Sequence, residues 1–223
     1  MENRALIVLA KPARWSKHHR FILLCLIVIM TGLLISWAGL RAAHRAQVLG
    51  HPPWVYGAPH ARFTVVEFSD LECDYCRMYF PILRAWVDAH PDVNWEWRHL
   101  SLANHEPSAT QLARFVECVG EVGGPQRFWE MIGWIYTHPD HSELRPEEFA
   151  ETSHRALIAK CLTSKRPDMI LRNQTREAAE NRVTGKPTLL VLDHRSDRSM
   201  RLPGMVSPDA LSSALDGLAA STH

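Results

Sequence analysis

The sequence lacks a charge excess of either sign: 25 Lys and Arg stand against 24 Asp and Glu, a formal net charge of +1. Binding to nucleic acid draws on a basic surface, so the composition makes no case for it. Internal repeats and low-complexity blocks are absent as well, which leaves no sequence basis for an array or a long disordered tract. Cysteine is sparse, five in 223 residues, and only one CxxC pair occurs. A four-ligand zinc site would need a second well-spaced pair. His90, His99 and His105 fall on different expected elements, so we expect no metal.

What is present is an apolar fraction of 46% beside 22% charged residues, the balance of a globular protein with room for one anchor and one domain. Residues 21–40, FILLCLIVIMTGLLISWAGL, contain no charged side chain. That length crosses the hydrocarbon core as a helix. Arg4, Lys11, Arg14, Lys17 and Arg20 precede it, against Arg41 and Arg45 after it. The heavier positive flank places the N-terminus in the cytoplasm and the remainder outside, in the periplasm or an equivalent space. A cleaved secretory signal is the alternative, since small residues follow the run; a buried helix of a soluble protein is a third reading. The organisation expected is a basic leader over 1–20, an anchor over 21–40, a tether over 41–59 and a domain over 60–223. Cys25 falls inside the anchor as a passive apolar residue.

Within the domain, FTVVEF (63–68) is a compact β-branched and aromatic run and reads as a buried strand. SDLE then leads into Cys73, and Met78, Phe80, Leu83, Trp86 and Val87 follow at helical spacing. VNWEW (93–97) alternates as a second strand. Helical spacing dominates from about 104 to 181, broken near Gly123-Gly124-Pro125, Pro139 and Pro167. TLLVL (188–192) is a third strand, 199–202 a weak fourth, and 208–218 a last amphipathic helix. The fold class is α/β, a sheet interrupted by an inserted helical subdomain.

Cysteines two residues apart at a helix start have a physical logic. The first thiol sits where backbone N–H groups and the helix dipole stabilise a thiolate. Cys73 is therefore the expected exposed nucleophile, and Cys76, one turn on and more buried, the resolving thiol. A purely structural disulfide at this position is the bland alternative. Glu67 stands in the apolar run VVEF, where an unpaired carboxylate shifts toward its neutral form; an edge-strand Glu facing solvent remains the other reading.

The segment VVEFSDLECDYCRMYFPIL resembles the active-site region of DsbA-like proteins, exported members of the thioredoxin superfamily. The resemblance continues in order through Asn104-His105-Glu106-Pro107, Glu117-Cys118-Val119-Gly120, Arg127-Phe128-Trp129-Glu130, Cys161-Leu162-Thr163-Ser164 and Val183-Thr184-Gly185-Lys186-Pro187-Thr188. It implies a thioredoxin-like fold whose catalytic set is Cys73, Cys76, Glu67 and a cis Pro187. Lys186, Tyr75 and Thr188 would contact substrate, and Cys118 and Cys161 would pair in a second disulfide, or else remain two separate buried thiols. Glu67 would exchange a proton with Cys76.

Asp74, between the cysteines, is expected to oppose a thiolate at Cys73, and Lys186 to favour it. Tyr75 resembles the residue of isomerase members, which carry a further dimerisation domain that the 41–59 tether is too short to supply. The activity implied is a membrane-tethered thiol-disulfide oxidoreductase, an oxidase first, whose only redox group is the Cys73–Cys76 disulfide. Its partners would be exported cysteine-containing proteins and a membrane redox partner, a DsbB-like oxidase or a DsbD-like reductase. A reductase or isomerase on the same scaffold, or a redox-inactive client-binding module, are the alternatives.

Overall fold

A computed structural model of the chain describes residues 54–138 and 152–220, together with Ile22, Leu24, Leu26, Ile27 and residues 29–32 near the N-terminus. Those N-terminal residues are helical, and no helix among the described residues is long and apolar enough to cross a membrane. The leader, most of the expected anchor with Cys25, and the tether up to residue 53 lie outside the described residues. Residues 1–46 and 47–223 form two separate compact units.

The second unit holds five strands and five helices among its described residues: β1 (Val55–Gly57), β2 (Phe63–Ser69), α1 (Asp74–Asp88), β3 (Val93–His99), α2 (Ser108–Thr137), α3 (Thr152–Thr163), α4 (Arg166–Glu180), β4 (Thr188–Asp193), β5 (Arg198–Pro203) and α5 (Pro208–Ala220). A 3₁₀ turn, Ala103–His105, links β3 to α2. The sheet order is β1-β3-β2-β4-β5, with β2 and β3 parallel and every other pair antiparallel. The expected α/β sheet with a helical insertion is what folds.

β2 lies at the centre, and all seven of its residues are buried. Alternation along it sorts the core. Phe63 and Val65 belong to the main cluster, which takes in α1, α2 and α5; Val66 and Phe68 meet Ala178 of α4 on the opposite face. Glu67 and Ser69, at the same parity as Val65, thus face α1 and α2.

The insertion is pinned by polar contacts that the sheet leaves open. Arg98, 6% exposed, donates from Nε to Glu177 at 2.8 Å and from Nη2 to Glu96 at 2.9 Å, and Gln174 Oε1 accepts the His99 N–H at 2.8 Å. α2 breaks at Gly124, whose φ of 79° is a left-handed conformation, with Pro125 following; this is the break expected from Gly123-Gly124-Pro125. The disulfide Cys118–Cys161 ties α2 to α3, with Cα atoms 5.6 Å apart.

One boundary differs from the sequence reading. Residues 54–57, assigned there to the tether, belong to the folded unit: Val55, Tyr56 and Gly57 pair with Glu96, Trp95 and Asn94. Trp54 is buried, stacks on Phe128 at 5.3 Å and donates Nε1 to Glu117 at 2.9 Å. A three-residue strand flanked by Pro and Gly carries too little periodicity to be seen in sequence.

Candidate active site

Strand β2 ends at Ser69, and the chain turns through Asp70–Cys73 into α1. Asp70 C=O accepts the Cys73 N–H at 3.1 Å, closing the turn, and Asp70 Oδ1 accepts the Glu72 N–H at 2.8 Å. This is an Asx-type turn, which Asp favours because its side chain mimics a backbone carbonyl. Cys73 occupies the N-cap position of α1 in extended conformation, where the first helical N–H groups are free.

Both thiols are free. Their environments divide the labour. Cys73 is drawn down from 9.0 to about 6, first by a hydrogen bond with Cys76, then, against a burial penalty, by the N–H groups of Cys76 and Tyr75. Cys76, completely buried, is pushed far above the ordinary thiol range by its contact with Cys73, by burial and by the charge of Glu67. One sulfur is thus a ready thiolate and the other a protonated reserve. Cys73 is more enclosed than expected: it is 6% exposed, at the wall of a shallow pocket of about 160 Å³ shared with Leu71, Glu72, Asp74, Arg77, Ile135 and Tyr136.

Glu67 is 0% exposed in the middle of the central strand, so the solvent-facing alternative does not hold. Burial pushes its carboxyl up to about 8; Ser69 and Trp95 offset this only in part, and neither closes a hydrogen bond with it. The Lys186–Pro187 peptide is cis, immediately before β4, and Pro187 C=O accepts the Gly204 N–H at 2.9 Å. Lys186 Nζ donates to Ser101 C=O at 3.3 Å, and burial lowers its pKa while Asp70, Cys76 and Cys73 act to raise it. Tyr75 is 61% exposed on the outer side of α1, beside Met78 at 50%.

Thr188 is 1% exposed and its hydroxyl donates to Gly185 C=O at 2.7 Å, so its side chain braces the proline loop. Asp74, expected to oppose the Cys73 thiolate, has a side chain 75% exposed and paired with Arg77 at 2.6 Å, while the buried carboxylate of Asp70 also acts to raise the Cys73 thiol. Helix geometry turns the residue after the N-cap outward, whereas the turn folds Asp70 inward.

Sequence reasoning missed Asp70, Ser69, His105 and Tyr136. Tyr136 donates to Asp70 C=O at 3.0 Å and lies 3.4 Å from the Ser69 hydroxyl; His105 Nδ1 lies 3.0 Å from Asp70 Oδ2. The available signal was Asp three residues before a helix-capping cysteine, a turn pattern in its own right. His90 stacks on Trp86, while His99 accepts from Trp97 Nε1 and faces Glu117, so the three histidines considered as metal ligands serve separate sites. Among the described residues no three His, Cys, Asp or Glu side chains gather as a metal site.

The family model described as Thioredoxin matches residues 51–216. Among solved structures, Pseudomonas aeruginosa DsbA2 is 36% identical, with a TM-score of 0.68 over 75% of this chain and 94% of that one. A thioredoxin-like oxidoreductase from Silicibacter pomeroyi shares the fold at 21% identity and a TM-score of 0.62, over 80% of this chain and 99% of that one. A Na(+)/H(+) antiporter NhaA 1 of Salinispora arenicola is 30% identical over 174 residues, 76% of this chain but 25% of that protein. The chain spans a quarter or less of the length of the curated relatives it matches. By the family match over most of its length and by its likeness to a DsbA, this chain belongs to the thioredoxin family and carries the DsbA-like form of its fold.

Proposed function

We propose that the protein is a thiol-disulfide oxidoreductase acting through Cys73 and Cys76, working outside the cytoplasm as an oxidase of exported cysteine-containing proteins and tethered by residues 21–40. The observation that carries this is the split between the two thiols: Cys73 drawn to about 6 and Cys76 held far above the ordinary range, over a buried Glu67 at about 8. A stabilised thiolate favours the dithiol form, and a pair that prefers to be reduced passes its disulfide on.

In the oxidised enzyme a substrate thiolate attacks Cys73 Sγ, forming a mixed disulfide and expelling Cys76 as a thiolate. Cys76 then takes up a proton, and Glu67, neutral at pH 7, is the buried acid on the same side of the sheet to supply it. A second substrate thiolate attacks the substrate sulfur, closing the substrate disulfide and releasing Cys73 as its thiolate. Two electrons have then passed from substrate to enzyme: Cys76 holds the proton from Glu67, Cys73 is left as a thiolate, the protons of the substrate thiols have gone to solvent, and Glu67 is reprotonated from there; a membrane redox partner would restore the disulfide. The exposed Tyr75 and Met78 lie on the helix that Cys73 caps, and the Pro187 loop follows Lys186, whose ammonium acts on both cysteines; both suit contact with a substrate chain. Antiport is named for proteins that this chain matches only in part, and we leave it with them.

Trapping tests the reading. In reduced Cys76→Ser, the Cys73 thiolate should attack a substrate cysteine carried as a mixed disulfide with a small thiol, expel that thiol, and accumulate as a covalent complex that dithiothreitol releases. Equal trapping by Cys73→Ser, or none by either variant, would contradict it.

A further inference from the structure

We propose that Asp70, rather than Asp74, sets how strongly the Cys73–Cys76 pair oxidises its substrates, by holding a fixed negative charge against Cys73. The inference rests on the thiol-disulfide reading above.

Asp70 and Cys73 are the first and last residues of one turn, joined by the 3.1 Å bond from Cys73 N–H to Asp70 C=O. The carboxylate itself is immobilised from two sides. Oδ1 accepts the Glu72 N–H at 2.8 Å, and Oδ2 accepts the Leu102 N–H at 2.7 Å and, in the Nδ1–H tautomer, His105 at 3.0 Å. Both oxygens are engaged as acceptors, and the side chain is fully buried. A charge held in place and away from water is little screened in its action on the neighbouring thiol.

Asp74 is nearer to Cys73 in sequence and weaker in effect. Its side chain is 75% exposed and neutralised by Arg77 one turn along α1, so water and a counter-charge both damp its field. The other charged groups near the pair are Lys186, whose ammonium acts on Asp70 and on both cysteines; Glu67 beneath Cys76; and Glu72, held by the Ser108 hydroxyl. Lys186 and Asp70 act on the thiol with opposite sign. A thiolate at Cys73 is what the reduced enzyme gains, so the Asp70 charge destabilises the dithiol form and moderates the oxidant.

The test compares Asp70→Asn with Asp74→Asn in the full chain. Each is equilibrated with reduced and oxidised glutathione, and the Cys73 thiolate is titrated by its ultraviolet absorbance. Asp70→Asn should shift the equilibrium about tenfold toward the dithiol, about 30 mV more oxidising, and lower the pH of thiolate formation. Asp74→Asn should move the equilibrium less than about twofold, as a surface charge does. An Asp74→Asn shift as large as that of Asp70→Asn, or no shift in a folded Asp70→Asn, overturns the assignment.

Asn cannot accept both the Leu102 and His105 donors at its amide nitrogen, so Asp70→Asn can fail to fold. Asp70→Ser then decides, because its hydroxyl can still accept the Glu72 N–H while carrying no charge: it should shift the equilibrium severalfold toward the dithiol and lower the pH of thiolate formation, and an unchanged or opposite shift in the folded variant overturns the proposal. If the parent pair does not titrate with glutathione at all, the thiol-disulfide reading itself falls. A titrating parent with unmoved variants removes only the role of Asp70.

Discussion

A carboxyl with no hydrogen-bond partner in the centre of a sheet is a cost the fold carries for chemistry, and Glu67 makes that cost measurable. Its folded pKa of about 8 lies above the ordinary 4.5, so the folded state keeps a proton that the unfolded chain loses. Stability is therefore full below about pH 4.5 and falls as the pH rises through 8. Glu67→Gln, neutral at every pH, should match the parent in denaturant melts at pH 4 and exceed it at pH 8 by up to about 4 kcal/mol. Protonation of Cys76 would lose its donor, slowing disulfide exchange by about a hundredfold. A Gln variant with the parent's pH dependence would show that Glu67 does not titrate there. At Cys73, alkylation by iodoacetamide should rise with pH around a midpoint of about 6, where an ordinary thiol would wait until about 9. The cysteine spacing and the apolar setting of Glu67 were legible in the sequence, because both are local patterns. Asp70 was not: its weight comes from the Leu102 N–H and His105, thirty or more residues away, which only the folded chain brings together.

Secondary structure was readable wherever a period was strong. The runs at 63–68 and 188–192 gave strands within a residue of those formed, and the Gly-Gly-Pro break in α2 fell where the backbone turns left-handed. β1 was missed because its three residues are fixed by the edge of β3 and by Trp54, neither of which is a local signal. That strand's anchor carries a prediction. Trp54→Phe keeps the stacking on Phe128 but leaves a buried Glu117 oxygen without its donor, and should cost about 1 to 3 kcal/mol in urea unfolding. Gly120 meets the same ring: a Cβ there would lie 2.8 Å from Trp54, so Gly120→Ala should cost about 1 to 3 kcal/mol by overpacking. Melts unchanged in both variants would place Trp54 outside the cooperative unit.

The sheet and the helical insertion form one core, and the Cys118–Cys161 disulfide closes a loop of 43 residues' separation inside the insertion. By the chain-entropy account that closure contributes about 4 kcal/mol. The double variant Cys118→Ser/Cys161→Ser should lose stability of that order while its Cys73–Cys76 exchange persists, since the two pairs occupy different elements. Loss of exchange in a variant still folded would tie the second disulfide to the chemistry. The fold class was visible from the order of motifs along the whole chain, and the pairing was implied by the family resemblance with two separate thiols left open, whereas the balance of charge around Cys73 required the assembled site. The central claim is that Cys73 and Cys76 form an oxidising redox pair, and the most direct measurement is their reduction potential by glutathione titration, with Cys118–Cys161 intact. The account predicts a two-electron transition between about −180 and −120 mV, the range of protein disulfide isomerase and DsbA. A value near about −270 mV, that of a reductant, or no transition at all, would contradict it.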